Sequence, residues 1–202
     1  MMITELKTRR KSSWKPSIAA SDMDTLIDSL FQYSKLDIEQ IPLEMEKVDL
    51  YSYFADFIDE LAFDLEKEGG TATLHANENN SYLVEADREQ LRRVVTNIVQ
   101  NSLKYINKDR KKIRVHLESE NQSQQVRVEI KDNGSGIAEE DIPHLFESFY
   151  RTDASRNSST GGSGLGLAIV KRIIEEHGGH VWAESEPGEG TSVYFTLKKV
   201  SS

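Results

Sequence analysis

The chain has 202 residues, 37% of them apolar and 29% charged, with a formal net charge of −9 and no cysteine. That balance belongs to a globular domain long enough to bury a core. The acidic charge argues against duplex nucleic acid as a partner, since such affinity comes largely from lysine and arginine at phosphates, and the missing thiols exclude disulfides, cysteine nucleophiles and cysteine–zinc sites.

Residues 1–20 have no periodicity and carry Pro16 among serines and basic residues, so they read as a disordered arm or an expression remnant. Residues 21–40 follow as a helix with Ser21 at its N-cap and Asp22 and Asp24 at the positive dipole end. Met23, Leu26, Leu30 and Tyr33 fit the a and d positions of a helix seeking a partner helix; the plainer alternative is packing on its own domain. Ile41-Pro42 breaks the pattern, and residues 50–68 are predicted as an amphipathic helix with Leu50, Phe54, Phe57, Leu61 and Leu65 inward and Gly69 as its stop. Strands are predicted at 71–75 and 82–85. Asp87 then caps a helix running to about Tyr105, with Gln90 placed for a capping box.

Ile113, Val115 and Leu117, and then Val126, Val128 and Ile130, alternate with polar residues as half-buried strands do, joined by a hairpin loop at 121–125. A short helix at 139–146 is expected before a stretch rich in serine, glycine and arginine, 152–162. A helix over 165–177 stops at Gly178-Gly179, and strands at 180–186 and 191–198 close a last hairpin around Pro187 to Gly190. The class is α+β: a two-layer α/β sandwich with a mixed, mainly antiparallel sheet and helices on one face, preceded by the N-terminal helix. No apolar run approaches the ~20 residues of a membrane span and no leader pattern follows the basic stretch from Lys7 to Lys15, so the chain is expected to be soluble and cytoplasmic.

Four short motifs carry the chemistry. On the helix after Asp87, the residues Leu91, Val94, Val95, Ile98 and Ser102 form the inward arc, while Asn97, Asn101 and Lys104 line a separate stripe. Amide oxygens suit Mg²⁺, a hard cation that takes phosphate oxygens as further ligands, and a lysine pairs with phosphate; taken alone, the stripe reads as an ordinary polar face. Asp132 ends an inward-alternating strand, where a carboxylate at the edge of an apolar pocket accepts a hydrogen bond from an amine such as that of adenine. Gly134 and Gly136 beside it allow close backbone approach, although Asp-Asn-Gly is equally a turn signal. Gly162, Gly164 and Gly166 open a helix, a phosphate-binding arrangement. They follow no strand and lack the Gly-Lys-Ser/Thr ending, so neither the dinucleotide fingerprint nor the P-loop applies. The preceding stretch has the composition of a mobile lid, in which Arg151 and Arg156 are candidates for phosphate contact or for simple surface solvation.

In this order the motifs Asn97-x3-Asn101-x2-Lys104-Tyr105, Asp132-Asn-Gly-Ser-Gly136, Phe146-x2-Phe149-x-Arg151 and Gly162-Ser-Gly-Leu-Gly166 resemble the N, G1, F and G2 boxes of sensor histidine kinases. These belong to the superfamily that includes DNA gyrase and heat-shock chaperone ATPases. Gly188-Glu-Gly-Thr191 resembles a further glycine turn of that family, and residues 23–37 resemble the second helix of its dimerisation hairpin. The resemblance covers about 48–199 and implies an ATP-binding catalytic domain with a lid at about 143–163. It implies Asn97 and Asn101 at Mg²⁺, and Lys104, Tyr105 and Arg151 at the phosphates. Asp132 would hold the adenine amine with Gly134, Gly136, Ile137 and Thr191 around it, and Phe149 would pack at the base of the lid. Arg156, Gly162, Gly164, Leu165, Gly166 and Leu167 would line the nucleotide. The implied partners are a phosphoacceptor hairpin and a response regulator receiver domain, with the parent protein anchored in a membrane.

Two departures matter. None of His75, His116, His144, His177 and His180 lies in the family's acceptor box, so this chain is expected to lack its phosphoacceptor, to be truncated, to be monomeric, and not to phosphorylate itself. The gyrase-like relatives place a water-activating glutamate where Asn97 stands, and an amide is no general base, so slow ATP hydrolysis is expected. A serine kinase of the anti-sigma type and a non-catalytic nucleotide-binding docking remnant stay open as alternatives.

Overall fold

The computed structural model describes residues 43–77, 79–119, 124–152 and 163–200. The expected arm 1–20, the expected helix 21–40, the tip of the 121–125 loop, and Arg156 and Gly162 of the lid lie outside them. In chain order the elements are β1 (Glu46–Asp49), α1 (Leu50–Glu66), β2 (Thr71–Ala76), β3 (Leu83–Ala86), α2 (Arg88–Tyr105), β4 (Lys112–Glu118), β5 (Gln125–Asp132), a 3-10 turn (Ile142–His144), α3 (Gly166–Glu176), β6 (Val181–Glu186) and β7 (Gly190–Lys198). Five strands form one sheet in the order β2-β4-β5-β7-β6, and β1 pairs with β3 beside it. The β2–β4 pairing is parallel and the other ladders are antiparallel, the mixed sheet expected from the sequence.

Strand alternation decides which face is covered. Ile113, Val115 and Leu117, then Val126, Val128 and Ile130, then Val193, Phe195 and Leu197 are all buried. Their neighbours point to the opposite face, as a period of two requires. On the covered face α1 lies over β2, while α2 and α3 pack on each other and over β5, β6 and β7. The open face carries a cross-strand row of His75, His116, Glu129, Tyr194 and Trp182, with the Trp182 and Tyr194 rings stacked 5.1 Å apart.

Local chemistry accounts for the helix ends. Asp49 caps α1 by accepting from the Tyr51 and Ser52 amides, both at 3.3 Å. The helix buries Leu50, Tyr53, Phe54, Ile58 and Leu65, with Phe57 and Leu61 partly covered, a broader stripe than the sequence predicts. Asp87 caps α2 as expected, accepting from the Glu89 and Gln90 amides at 3.0 Å. The return half of the capping box is not made: Gln90 Oε1 accepts from Arg93, and the Asp87 N–H donates to His177 Nε2 at 3.0 Å. The helix expected over 139–146 is only turns and one 3-10 turn, closed by bonds such as His144 N–H to the Asp141 carbonyl, with Pro143 supplying no N–H for a longer ladder. β1 was not expected, because Glu46 to Asp49 buries only Val48 and so shows no alternation.

Tyr53 is buried at 7% exposure, and its hydroxyl has no hydrogen-bond partner among the described residues. Burial pushes its pKa up to about 12, against the pull of Arg92 and Arg88. The folded state therefore keeps a proton that the unfolded state releases from pH 10.0, so stability present below that pH is lost as pH rises towards about 12. Tyr53→Phe is expected to be neutral or up to ~1 kcal/mol more stable near pH 7, and to lose less stability at alkaline pH. Urea unfolding across pH checks both; a clear destabilisation at pH 7 would show that the hydroxyl is satisfied.

Candidate functional site

The stripe on α2 is where the sequence puts it. Leu91, Val94, Val95, Ile98 and Ser102 are buried, while Asn97, Asn101 and Lys104 are half-buried on the adjoining face. Asn97 Nδ2 donates to the Arg93 carbonyl one turn back at 2.9 Å, which leaves Oδ1 turned away from the helix. That oxygen meets the start of α3: a Cβ on Gly166 would lie 3.3 Å from it. Neither Asn97 Oδ1 nor the Asn101 amide makes a hydrogen bond among the described residues. The Lys104 ammonium sits 5.1 Å from the ring centre of Tyr105.

At the start of α3, Leu165 is the N-cap without a side-chain cap, and the first helical bond runs from Ile169 N–H to the Leu165 carbonyl. The amides of Gly166, Leu167 and Ala168 precede that bond and form the positive end of the helix. The Leu165 side chain is fully buried and Leu167 packs partly on the core, so any ligand contact from these two comes from backbone. Gly164 adopts φ 72° and presses on the preceding segment, where a Cβ would meet the Phe149 carbonyl carbon at 2.8 Å. Phe149 N–H donates to the Gly164 carbonyl, and Phe149 is the one described non-glycine residue with positive φ, at 65°. Its side chain is 56% exposed. Phe146, three residues earlier, packs partly on the core. Arg151 follows, half-buried.

A second cluster gathers around Asp132, which is buried at 7% exposure. Its Oδ1 accepts from the Gly134 amide at 2.7 Å and the Thr191 amide at 3.2 Å. Oδ2 accepts nothing among the described residues. The Tyr105 carbonyl at the end of α2 accepts from Ser135 N–H, tying this loop to the helix that carries the amide stripe. The glycines serve the protein's own packing. A Cβ on Gly134 would come within 2.9 Å of Asp132 Oδ1 and 3.0 Å of the Tyr105 carbonyl, and one on Gly136 would fall 2.0 Å from the Glu186 carbonyl. Close backbone packing around the carboxylate thus needs glycine at both positions. Ser185 joins the cluster, accepting from Ile137 N–H at 2.9 Å and bonding to Gly190 and Thr191.

The two clusters share a scaffold. Asp87 at the start of α2 meets His177 at the end of α3, and Asn97 meets Gly166 at the start of α3. The helices are therefore antiparallel, with α3 held at both of its ends. His177 is buried, with Nδ1 on the Ile173 carbonyl at 2.7 Å and Nε2 on the Asp87 N–H. A carbonyl only accepts and an N–H only donates, so the proton lies on Nδ1 and Nε2 is the acceptor. The histidine thus ties the end of α3 to the start of α2.

Residues 86–201 match the model of the histidine kinase-, DNA gyrase B- and HSP90-like ATPase family. The chain belongs to that family. Within it, the chain is 30% identical over 197 residues to the sensor histidine kinase WalK of Bacillus subtilis, a match covering 98% of this chain and 30% of that protein. The chain thus spans under a third of that relative's length. Among solved structures, the histidine kinase ThkA in complex with the response regulator protein TrrA superposes with a TM-score of 0.71 at 26% identity, covering 90% of this chain and 48% of that one. Full-length ShkA in complex with AMPPNP superposes with a TM-score of 0.76 at 22% identity, covering 91% and 38%, a likeness of fold alone.

Sequence reasoning passed over Ser185 and the tie made by His177. Ser185 is a polar residue in the inward register of β6 with Val181 and Ala183, a signal that was available. The His177 contact spans 90 positions and leaves no local trace. His177→Ala leaves the Asp87 N–H without its acceptor and opens a cavity, and should cost about 2–4 kcal/mol of stability in urea unfolding. A cost under about 0.5 kcal/mol would mean that the helix pair is held without it.

Proposed function

We propose that the chain is the ATP-binding catalytic domain of a two-component sensor histidine kinase. It transfers the γ-phosphoryl group of ATP to a histidine on a dimerisation hairpin, for passage to a response regulator receiver domain. The reading is carried by one observation: an amide-and-lysine stripe abuts a glycine-run helix start, and the same helix ends against a loop whose buried carboxylate keeps one oxygen unengaged. Family membership and the sensor kinase relatives support it. The response regulator seen with ThkA supports the partner class, and AMPPNP in ShkA supports the nucleotide.

In this reading the adenine amine donates to Asp132 Oδ2, with the Gly134, Gly136, Ile137 and Thr191 backbone shaping the pocket. The phosphates lie towards the amides of Gly164, Leu165, Gly166 and Leu167 at the positive end of α3. Lys104, Tyr105 and Arg151 meet phosphate oxygens; Arg156 and Gly162, which the family resemblance also places at the nucleotide, lie outside the described residues. The two unengaged amide oxygens of Asn97 and Asn101 fit Mg²⁺, which supplies charge neutralisation on the phosphates. In the transfer a histidine nitrogen bonds to the γ-phosphorus, the bond from that phosphorus to the β–γ bridging oxygen breaks, and ADP leaves. Lys104 and Arg151 stabilise the charge of that step, which is mainly positioning and electrostatics. Asn97 cannot take a proton from water, so hydrolysis is slow. No helix among the described residues is long and apolar enough to cross a membrane; the whole protein is read as a membrane-anchored sensor with this part on the cytoplasmic side.

Calorimetry of ATP with and without Mg²⁺ tests the site. Asp132→Asn presents an amide N–H to the adenine amine and is expected to weaken binding at least about tenfold, or ~1.4 kcal/mol. Asn101→Ala should remove most of the Mg²⁺ dependence. Absence of ATP binding by the parent chain overturns the reading. For the reaction, mixing the chain with a separately produced dimerisation hairpin bearing an acceptor histidine should yield phosphohistidine on the hairpin. Binding without transfer would instead support the docking remnant.

A further inference from the structure

Ser185 stands where three backbone segments meet. It is half-buried at the end of the inward row of β6, beside the turn into β7. Its hydroxyl accepts from Ile137 N–H at 2.9 Å, bonds to the Gly190 carbonyl at 2.8 Å and lies 2.9 Å from Thr191 Oγ1. The Gly190 carbonyl can only accept and the Ile137 N–H can only donate. Ser185 therefore gives its one proton to Gly190 and accepts from Ile137, and the Thr191 hydroxyl donates to it, which fills the capacity of a hydroxyl.

Those contacts bear on Asp132. Gly190 is packed so tightly on the end of β5 that a Cβ there would lie 2.1 Å from the Asp132 carbonyl. The next residue, Thr191, donates its N–H to Asp132 Oδ1. Ile137 continues the loop that sends the Gly134 N–H to the same oxygen. Ser185 thus bonds to both segments whose amides engage Oδ1, and it touches neither the carboxylate nor the stripe on α2 among the described residues.

We propose that Ser185 is a specificity-determining positioning residue. By clamping Ile137 to Gly190 and Thr191, it keeps both backbone donors on Oδ1 and so fixes Oδ2 as the acceptor offered to a purine with an exocyclic amine at position 6. A 6-oxo purine presents a carbonyl to that same oxygen and is rejected. Without the clamp the Thr191 amide moves off Oδ1, the carboxylate turns, and the selection between the two purines relaxes. The proposal rests on the adenine-nucleotide reading and names what enforces its base selectivity.

The test is calorimetric titration of ATP and inosine triphosphate into the parent chain, Ser185→Ala and Ser185→Thr, with thermal melting of each. The parent should favour ATP. Ser185→Ala should cut the ATP-to-inosine-triphosphate affinity ratio at least about fivefold, mostly through weaker ATP binding, and Ser185→Thr, which keeps the hydroxyl, should restore it to within about twofold. If Ser185→Ala fails to fold, Ser185→Cys, which keeps the volume and weakens the bonds, is held to the same ratio. A lower melting temperature with an unchanged ratio overturns the proposal while leaving the adenine reading intact. A parent chain that binds neither nucleotide, or both equally, overturns the adenine reading itself and the proposal with it.

Discussion

The antiparallel register of α2 and α3 is the constraint on which the site depends. The stretch from Asp87 to Asn97 and the stretch from Gly166 to His177 are nearly equal in length, roughly 15 Å each at 1.5 Å per residue. A hydrogen bond closes one end of this frame and a glycine contact closes the other. Sliding α3 by one residue would break both at once. The buried faces of the two helices resist such a slip as well, because interiors are close-packed and respond to displacement in steps. The positive end of α3 is thereby held beside Asn97, while the far end of α2 is left to brace the Asp132 loop through the Tyr105 carbonyl. One helix thus positions both halves of the site.

The second half relies on backbone contact closer than side chains permit. Gly136 against Glu186 and Gly190 against Asp132 bring the loop after β5 and the turn after β6 into direct contact. Both glycines also adopt positive φ, 69° and 116°, so steric room and backbone conformation demand the same residue. A carboxylate buried in that environment needs donors, and the Gly134 and Thr191 amides supply them on one oxygen only.

Much of this was legible in the residues, and the parts that were not share a cause. The alternation of β4 and β5, the Asp87 cap and the inward arc of α2 are local patterns whose period decides burial, and the structure follows them. The order of the four motifs pointed to the family, and the family match agrees. What local pattern could not give was the partner of each polar group. Asp87 carries the sequence signature of a capping box, yet its N–H goes to a histidine 90 positions away. Gly136 reads as a turn residue or as backbone brought close to a ligand ring, and local pattern gave no sign of its contact with the distant Glu186 carbonyl. β1 escaped because four residues with one buried valine show no period, and the 3-10 turn at Ile142 replaced a helix too short to propagate its own ladder.

The parallel pairing of β2 with β4 has a kinetic meaning. Thr71 pairs with Lys112, roughly forty positions later, so this edge cannot close by a hairpin and needs a crossover. α2, with Asn97, Asn101 and Lys104, is part of that crossover. Non-local pairing of this sort carries a loop-closure cost before its contacts form, and such pairings come late in folding. The amide stripe can be helical early, but it gains its place beside Asp132 and Gly166 only once the sheet has closed. The candidate site thus joins segments far apart in the chain, with Asn97 beside Gly166 and Tyr105 bonded to Ser135.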